Sequence, residues 1–167
     1  MSRSSPKATV RPHAALVSTT PVHTSRGSDL VSERNLKRVG KECLRLINEF
    51  RSRQKPRLRP VEWSEELFVI GSQHSRNMSE KKVPFGHAGM EERVRQFPFV
   101  SHEHAENLFF SSGRPFPQVP PLAVKSWIDS SGHRENLLGN FDTAAVGVSQ
   151  ESNGSFFVTL LFSRRLR

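Results

Sequence analysis

Two short segments of the chain carry histidine side chains, and the second of them also carries glutamate. His87 lies in the glycine-rich stretch FGHAG, and His102, His104 and Glu106 occupy alternate positions further along. Residues at alternate positions of an extended strand share one face. Two imidazoles and a carboxylate on that face are suitable ligands for a divalent metal ion. The spacing therefore suggests a metal motif, but spacing alone does not show which of these groups converge.

A third segment holds a serine and a histidine that suit nucleophilic catalysis. Ser130 and His133 are three residues apart, which brings two side chains together on a helical turn. With Glu106 to orient the histidine, Ser130 would be the nucleophile and His133 the base of a hydrolase. No G-x-S-x-G elbow surrounds Ser130. One alternative is a hydrolase in which Glu106 polarises a zinc-bound water, and another is a hydrogen-bonded network that only holds the loops.

Apolar periodicity predicts the helices that position these residues. From about 29 to 53, apolar residues recur at three- and four-residue steps and predict an amphipathic helix, with Cys43 packed in its apolar stripe. Ser64 predicts the N-cap of a second helix. His74 lies on the apolar face of that helix, so we expect a core histidine rather than a metal ligand. The prolines and glycines of residues 83–101 predict a long irregular connection.

The second half of the chain predicts strands and shorter helices. Residues 103–111 favour a strand, and a cluster of prolines then leads into a helix carrying Trp127 and a short helix that Gly139 ends. Two β-branched or aromatic runs, 143–150 and 155–162, flank an Asn-Gly turn and predict a hairpin. This order of elements predicts an α+β domain in which helices flank a small antiparallel sheet.

The positive charge of the chain is concentrated in three segments. Of 167 residues, 25 are Lys or Arg and 16 are Asp or Glu, a net charge of +9. Segments 1–28, 51–59 and 164–167 carry +4, +5 and +3, which leaves −3 for the remainder. Such basic appendages suit contact with phospholipid head groups or nucleic acid, or keep the chain soluble. In the loop, the residues expected to contact an anionic surface are Arg51, Arg53, Lys55, Arg57 and Arg59.

Composition also bears on domain organisation and location. No apolar run approaches the roughly 18–20 residues that span a bilayer, and a single cysteine excludes an intramolecular disulfide framework. Residues 1–30 are rich in Ser, Thr, Pro and Arg, which predicts a disordered leader before a folded domain over 31–167. The leader has no apolar h-region, which argues against a classical secretory signal and favours an intracellular or organelle-targeted protein.

Five motifs occur in an order and spacing that resemble those of one family. They are the segments INEFR (47–51), VEWSEEL (61–67), AENL (105–108), WIDSSGHRENLL (127–138) and AVGV (145–148). Together they resemble the CAP superfamily of cysteine-rich secretory proteins, antigen 5 and pathogenesis-related 1 proteins. The fourth segment is similar to the short bacterial-type form of the SCP domain. The resemblance runs from about Leu36 to Phe162 and implies an α-β-α sandwich.

The resemblance also implies a cleft lined by two histidines and two acidic residues. Matched residue by residue, the histidines are His87 and His133, one acid is Glu106, and Ser130 stands where the second acid is expected. Two imidazoles and one carboxylate are able to hold Zn²⁺ with an open coordination position. We therefore expect a zinc ion, if one is bound, on His87, His133 and Glu106, with affinity lowered by the missing acid. No cofactor is required.

What the resemblance implies about function is binding rather than catalysis. The family is associated with lipids and sterols, membrane surfaces and protein partners, so we expect a non-enzymatic protein with a His- and Glu-lined cleft and weak divalent-metal binding. The alternative is a hydrolase, either metal-dependent or using Ser130, His133 and Glu106. Nucleic acid is the less favoured partner because no aromatic stacking motif or groove-reading helix is evident. Family members are commonly extracellular, unlike the location that the leader favours.

Overall fold

The computed structural model describes residues 31–166, so the expected leader over 1–30 lies outside the described part of the chain. Helices and strands alternate irregularly along residues 31–166, as expected for an α+β domain. A short 3₁₀ turn over Phe116–Gln118 precedes the fourth helix. The elements are α1 (Glu33–Ser52), β1 (Glu62–Trp63), α2 (Glu65–Ser79), α3 (Met90–Arg95), β2 (Ser101–Ser111), α4 (Val119–Asp129), α5 (Ser131–Leu138), β3 (Thr143–Gln150) and β4 (Phe156–Arg165).

Serine side chains begin the two long helices. Ser32 Oγ accepts a hydrogen bond from the backbone N–H of Asn35 at 3.4 Å, so α1 begins four residues later than its apolar pattern suggests. The predicted N-cap of α2 is confirmed, because Ser64 Oγ accepts from the N–H of Leu67 at 3.1 Å. An N-cap satisfies one of the otherwise unpaired donors in the first helical turn.

The four strands form one mixed sheet in the order β1-β3-β4-β2. β3 and β4 form the predicted antiparallel hairpin, and β2 pairs with the other edge of β4, opposing Glu106 to Leu161. β1 runs parallel to β3, so the small sheet, expected to be antiparallel, is a mixed one. β1 has two residues, Glu62 and Trp63, and a strand of that length is too short for an alternating pattern to reveal.

Helices cover both faces of the sheet, which confirms the α-β-α sandwich. One face packs against α1, α4 and α5 in a core that includes Val146 and Leu160. The other face packs against α2 and α3, with Ala145 and Leu161 in that core. Successive strand residues point to opposite faces. β3 and β4 are buried on both faces, and so their sequences are almost continuously apolar.

Close approach between helices and sheet depends on small residues. A Cβ on Gly147 of β3 would lie 2.0 Å from the backbone nitrogen of Ser72 in α2. A Cβ on Gly40 of α1 would lie 2.2 Å from the carbonyl oxygen of Val146. Glycine at these two positions allows a helix to contact each face of β3 directly. Cys43, fully buried in the first core, packs as a small apolar residue as expected.

Candidate functional site

Glu106 is the centre of a buried ion pair on edge strand β2. Its side chain is 2% exposed, and both carboxylate oxygens accept from Arg93 of α3. Arg93 Nε donates to Oε2 at 2.8 Å and Nη2 donates to Oε1 at 2.8 Å. His87 Nδ1 lies 2.9 Å from Oε1 of the same carboxylate. A bidentate guanidinium–carboxylate pair is among the strong interactions available to a protein.

The remaining donors of Arg93 hold the loop that carries His87. Nη1 donates to the carbonyl of Ala88 at 2.9 Å and lies 3.2 Å from His74 Nδ1. Nη2 donates to the carbonyl of His87 at 3.3 Å. All five N–H donors of the guanidinium therefore have acceptors. The loop wraps around the cation, and Gly89, with φ of 78°, allows the chain to turn into α3.

His74 of α2 completes this network as a neutral imidazole. Arginine only donates hydrogen bonds, so Nδ1 of His74 must accept and Nε2 must carry the proton. Nε2 donates to the carbonyl of Gly86 at 3.0 Å. Burial, together with the neighbouring Arg93 charge, lowers the pKa of His74 below its usual value. The expectation of a buried, satisfied histidine at this position is confirmed.

Ser130 and His133 lie where α4 meets α5. Asn107, next to Glu106 in β2, donates from Nδ2 to the carbonyl of His133 at 3.1 Å. Neighbouring strand residues point to opposite faces of the sheet, so Asn107 faces α5 whereas Glu106 faces α2 and α3. His133 is buried, and Ser130 is half-buried. The structure brings His87 and Glu106 together, and Asn107 holds the backbone carbonyl of His133.

The residues of this site do not fit a metal ion. Within residues 31–166, no group of three or more His, Cys, Asp or Glu side chains is arranged to hold one. The physical reason is that Arg93 already engages both oxygens of Glu106. The expected set of His87, His133 and Glu106 therefore does not form a metal site. The alternative set of His102, His104 and Glu106 fails too, because the Glu106 carboxylate is the same one.

The expected hydrolase triad meets the same obstacle. Both oxygens of the Glu106 carboxylate are engaged, one by His87 and Arg93 together and the other by Arg93 alone. Arg93 was not among the site residues predicted from the sequence. One signal was present: Met90, Arg93 and Phe97 recur at helical spacing, so Arg93 occupies an apolar position of a short helix, and all three are buried.

A second feature is a groove of about 1070 Å³ near the start of β2 and the end of β4. We call it the basic groove. Two arginine pairs that are distant in sequence line it, and Glu62 and Asp142 are also in its wall. Other lining residues include Leu58, His102 and Leu166. The cations come from the loop after α1 and from the end of β4: Arg57, Arg59, Arg164 and Arg165.

Arg51 differs from the other expected surface contacts because it is 2% exposed. Its Nε donates to the carbonyl of Arg59 at 3.0 Å, and Nη1 donates to the carbonyls of Leu137 and Gly139 at 2.7 and 2.9 Å. Burial lowers its pKa. The expectation that Arg51 contacts an anionic surface is therefore wrong. It holds the loop of the basic groove against the end of α5 instead.

The cations near the groove differ in how far they are already paired. Arg164 Nη2 lies 3.3 Å from a Glu103 carboxylate oxygen, and Arg165 Nη2 donates to Thr143 Oγ1 at 3.0 Å. Arg53 pairs with Glu49 along α1, outside the groove lining. Lys55 is exposed and also outside that lining. Arg57 and Arg59 are exposed, and within residues 31–166 neither takes part in an ion pair.

Comparison with known proteins identifies a matching family model and similar folds. The model of the cysteine-rich secretory protein family, CAP, matches residues 44–162. An extracellular protein of Bacillus anthracis that contains an SCP domain superposes with a TM-score of 0.63 and 23% identity over 83% of this chain. An outer surface protein of Borrelia burgdorferi superposes with a TM-score of 0.62 and 20% identity over 84% of this chain and 100% of its own. A search of curated proteins finds no significant match.

At these identities the similarity to solved structures shows the fold. This chain spans 45% of the Bacillus chain and 44% of a similar Staphylococcus aureus cysteine-rich secretory protein. The Bacillus and Borrelia proteins are extracellular or on the outer surface, as is common in the family. They do not support the intracellular or organellar location that the leader favours. No helix within residues 31–166 has the length and apolar character needed to cross a bilayer.

Proposed function

Because the chain belongs to the cysteine-rich secretory protein (CAP) family, we propose that it is a non-catalytic binding domain whose basic groove contacts anionic phospholipid membranes. The observation that carries this proposal is the convergence of two arginine pairs, one at 57 and 59 and one at 164 and 165, on a single groove. Folding thus joins two of the basic segments of the sequence into one surface.

The state of these arginines supports contact with an anion. Arg57 and Arg59 are exposed and, among the described residues, without an ion pair, so binding a phosphate requires no internal salt bridge to break. Guanidinium groups bind phosphate oxygens through two parallel hydrogen bonds. Each basic residue near an anionic membrane contributes about 1 kcal/mol. Buried Arg51 holds the carbonyl of Arg59, which fixes the loop that presents these cations.

The geometry around Glu106 supports a binding role over hydrolysis. A general base or a metal ligand needs a carboxylate that is accessible to substrate or to an ion. Glu106 is 2% exposed and held by Arg93 and His87. In this protein the His- and Glu-lined region acts as an internal brace for the loop over residues 86–89.

Co-sedimentation with vesicles tests the proposal. The full chain is mixed with vesicles of phosphatidylcholine alone or of phosphatidylcholine with phosphatidylserine, at low and high salt. We expect binding only to the anionic vesicles, weakened by salt because screening shortens the reach of surface charges. The double substitution Arg57→Gln and Arg59→Gln removes about 2 kcal/mol and should lower the partition coefficient about thirtyfold.

The matched control removes the same charge from another surface. Arg34 and Arg38 are exposed on α1 and do not line the groove. Arg34→Gln with Arg38→Gln should leave vesicle binding within about threefold of the wild type, because these charges lie outside the contact. Equal loss in both double variants, or equal binding to neutral and anionic vesicles, would contradict the proposal.

A further inference from the structure

We propose that Val100 and Leu166 form an apolar tip that enters the bilayer interface when the basic groove contacts an anionic membrane. This inference rests on the proposed function and adds to it the orientation of the domain on the membrane. The end of the sheet where β2 begins and β4 ends would face the lipid.

The two residues are neighbours through their backbones although they are far apart in sequence. Val100 immediately precedes β2, and Leu166 immediately follows β4. The backbone N–H of Leu166 donates to the carbonyl of Val100 at 3.0 Å and extends the pairing of the two strands by one step. Val100 is 67% exposed and Leu166 is 60% exposed. Two strands therefore present adjacent apolar side chains to solvent at one end of the sheet.

This end of the sheet is firmly supported from beneath. Phe99 packs against Phe97 of the second core, with ring centroids 5.7 Å apart. The Arg165 guanidinium lies over the Phe99 ring, 4.5 Å from its centroid. Because β2, which follows Val100, is paired with β4, which precedes Leu166, inserting the tip into lipid requires little ordering of the chain. A preorganised contact loses less free energy on binding than a mobile one.

The positive charge beside the apolar tip indicates what kind of surface the tip contacts. Leu166 itself lines the basic groove, as do its neighbour Arg165 and the loop residues Arg57 and Arg59. A surface that places exposed apolar residues beside cations matches an anionic membrane, where negative head groups lie above an apolar layer. The tip would supply an attraction that salt does not screen, and the arginines would supply one that salt does screen.

Vesicle binding by substituted chains tests the tip separately from the groove. Val100→Ser with Leu166→Ser removes apolar surface but no charge, and should lower the partition coefficient onto anionic vesicles by about tenfold. Val69 is the matched control, since it is 64% exposed, lies on α2 and does not line the groove. Val69→Ser should bind as the wild type does. Equal binding by all three proteins would overturn the inference.

An environment-sensitive fluorophore gives a second readout. Cys43 is fully buried, so an added cysteine at an exposed position can be labelled selectively in the folded chain. We expect a nitrobenzoxadiazole label on Val100→Cys to brighten and shift to shorter wavelength on anionic vesicles. The same label on Val69→Cys should remain unchanged. A silent label at position 100 on a chain that is bound to vesicles would also overturn the inference.

The outcomes separate this inference from the proposed function. If the wild-type chain does not bind anionic vesicles, the proposed function fails and the inference fails with it. If the wild type binds and requires Arg57 and Arg59, but the label at position 100 stays silent, only the tip is wrong. If single-stranded DNA displaces the chain from vesicles and the label never responds, the groove is a nucleic-acid site and the membrane orientation is rejected.

Discussion

Replacing Arg93 by methionine would test whether the ion pair with Glu106 braces the domain. Methionine preserves much of the length and apolar volume of the side chain but removes all five donors. The change leaves the Glu106 carboxylate buried with His87 as its remaining partner in the network. It also leaves the carbonyls of His87 and Ala88 and the Nδ1 atom of His74 without the hydrogen bonds that Arg93 donates.

The expected loss of stability follows from burial. The side chains of Arg93 and Glu106 are 9% and 2% exposed, so neither charge is solvated by water when its partner is removed. Removing one member of a buried ion pair costs about 3–5 kcal/mol. Domains of this size unfold with free energies of about 5–15 kcal/mol. We therefore expect Arg93→Met to fold marginally and to unfold at a much lower urea concentration than the wild type.

Urea denaturation followed by tryptophan fluorescence measures this loss, since Trp63 and Trp127 lie in or against the first core. Arg95→Met is the matched control: Arg95 is on the same helix, 68% exposed, and its ion pairs within residues 31–166 are with acids of that helix. Exposed pairs contribute about 0.2–1 kcal/mol. Arg95→Met should therefore leave the urea midpoint nearly unchanged.

A double-mutant cycle with Glu106→Gln separates the ion pair from other effects of each substitution. Because the second substitution removes the charge that the first left unpaired, the double variant should lose less stability than the two single losses combined. Residues in one network typically couple by about 0.5–3 kcal/mol. The reasoning is refuted if Arg93→Met loses no more stability than Arg95→Met, or if the losses of Arg93→Met and Glu106→Gln simply add.

Three further predictions concern buried groups. Burial raises the pKa of the Cys43 thiol, so a thiol reagent should modify it in urea but not in the folded chain. Gly147→Ala should lower the free energy of unfolding by about 2 kcal/mol or more, because the new Cβ meets the Ser72 backbone, whereas Gly86→Ala, with open space at that position, should not. Burial lowers the pKa of His74 in the folded state, so the unfolded chain gains a proton first as the pH falls through about 6.5. The free energy of unfolding should therefore fall from about pH 7.5 to about pH 5.5, and it should fall less in His74→Gln.

Local signals made most of the fold predictable from the sequence. The apolar stripe of α1, the Ser64 cap and the Asn-Gly hairpin each depend on residues near one another in the chain. The elements that were missed are short. β1 has two residues and exists because it pairs with β3, 81 positions away, in register Glu62 to Thr143. α3 has six residues between a glycine and a proline, too few for periodicity to stand out.

Family resemblance pointed to His87 and Glu106 but could not show what neutralises the carboxylate. Buried charges require a partner, and a sequence lists several candidates for each. Here the partner is Arg93, whose position among the apolar residues of α3 is a clue only once that helix is known. The basic groove was equally hard to predict from the sequence. Arg57 and Arg164 line the same groove only because β1, β3 and β4 pair in the sheet.

The residues at positions 93 and 130 both affect the net charge of the His- and Glu-lined region. Where the family resemblance places a second acid, this chain has Ser130, which is uncharged. One carboxylate, Glu106, remains, and a single guanidinium balances its charge. A divalent cation at the same place would leave an excess of positive charge and would compete with a group that cannot deprotonate. Charge balance is therefore consistent with the proposal that the His- and Glu-lined region braces the loop and that the basic groove is the binding surface.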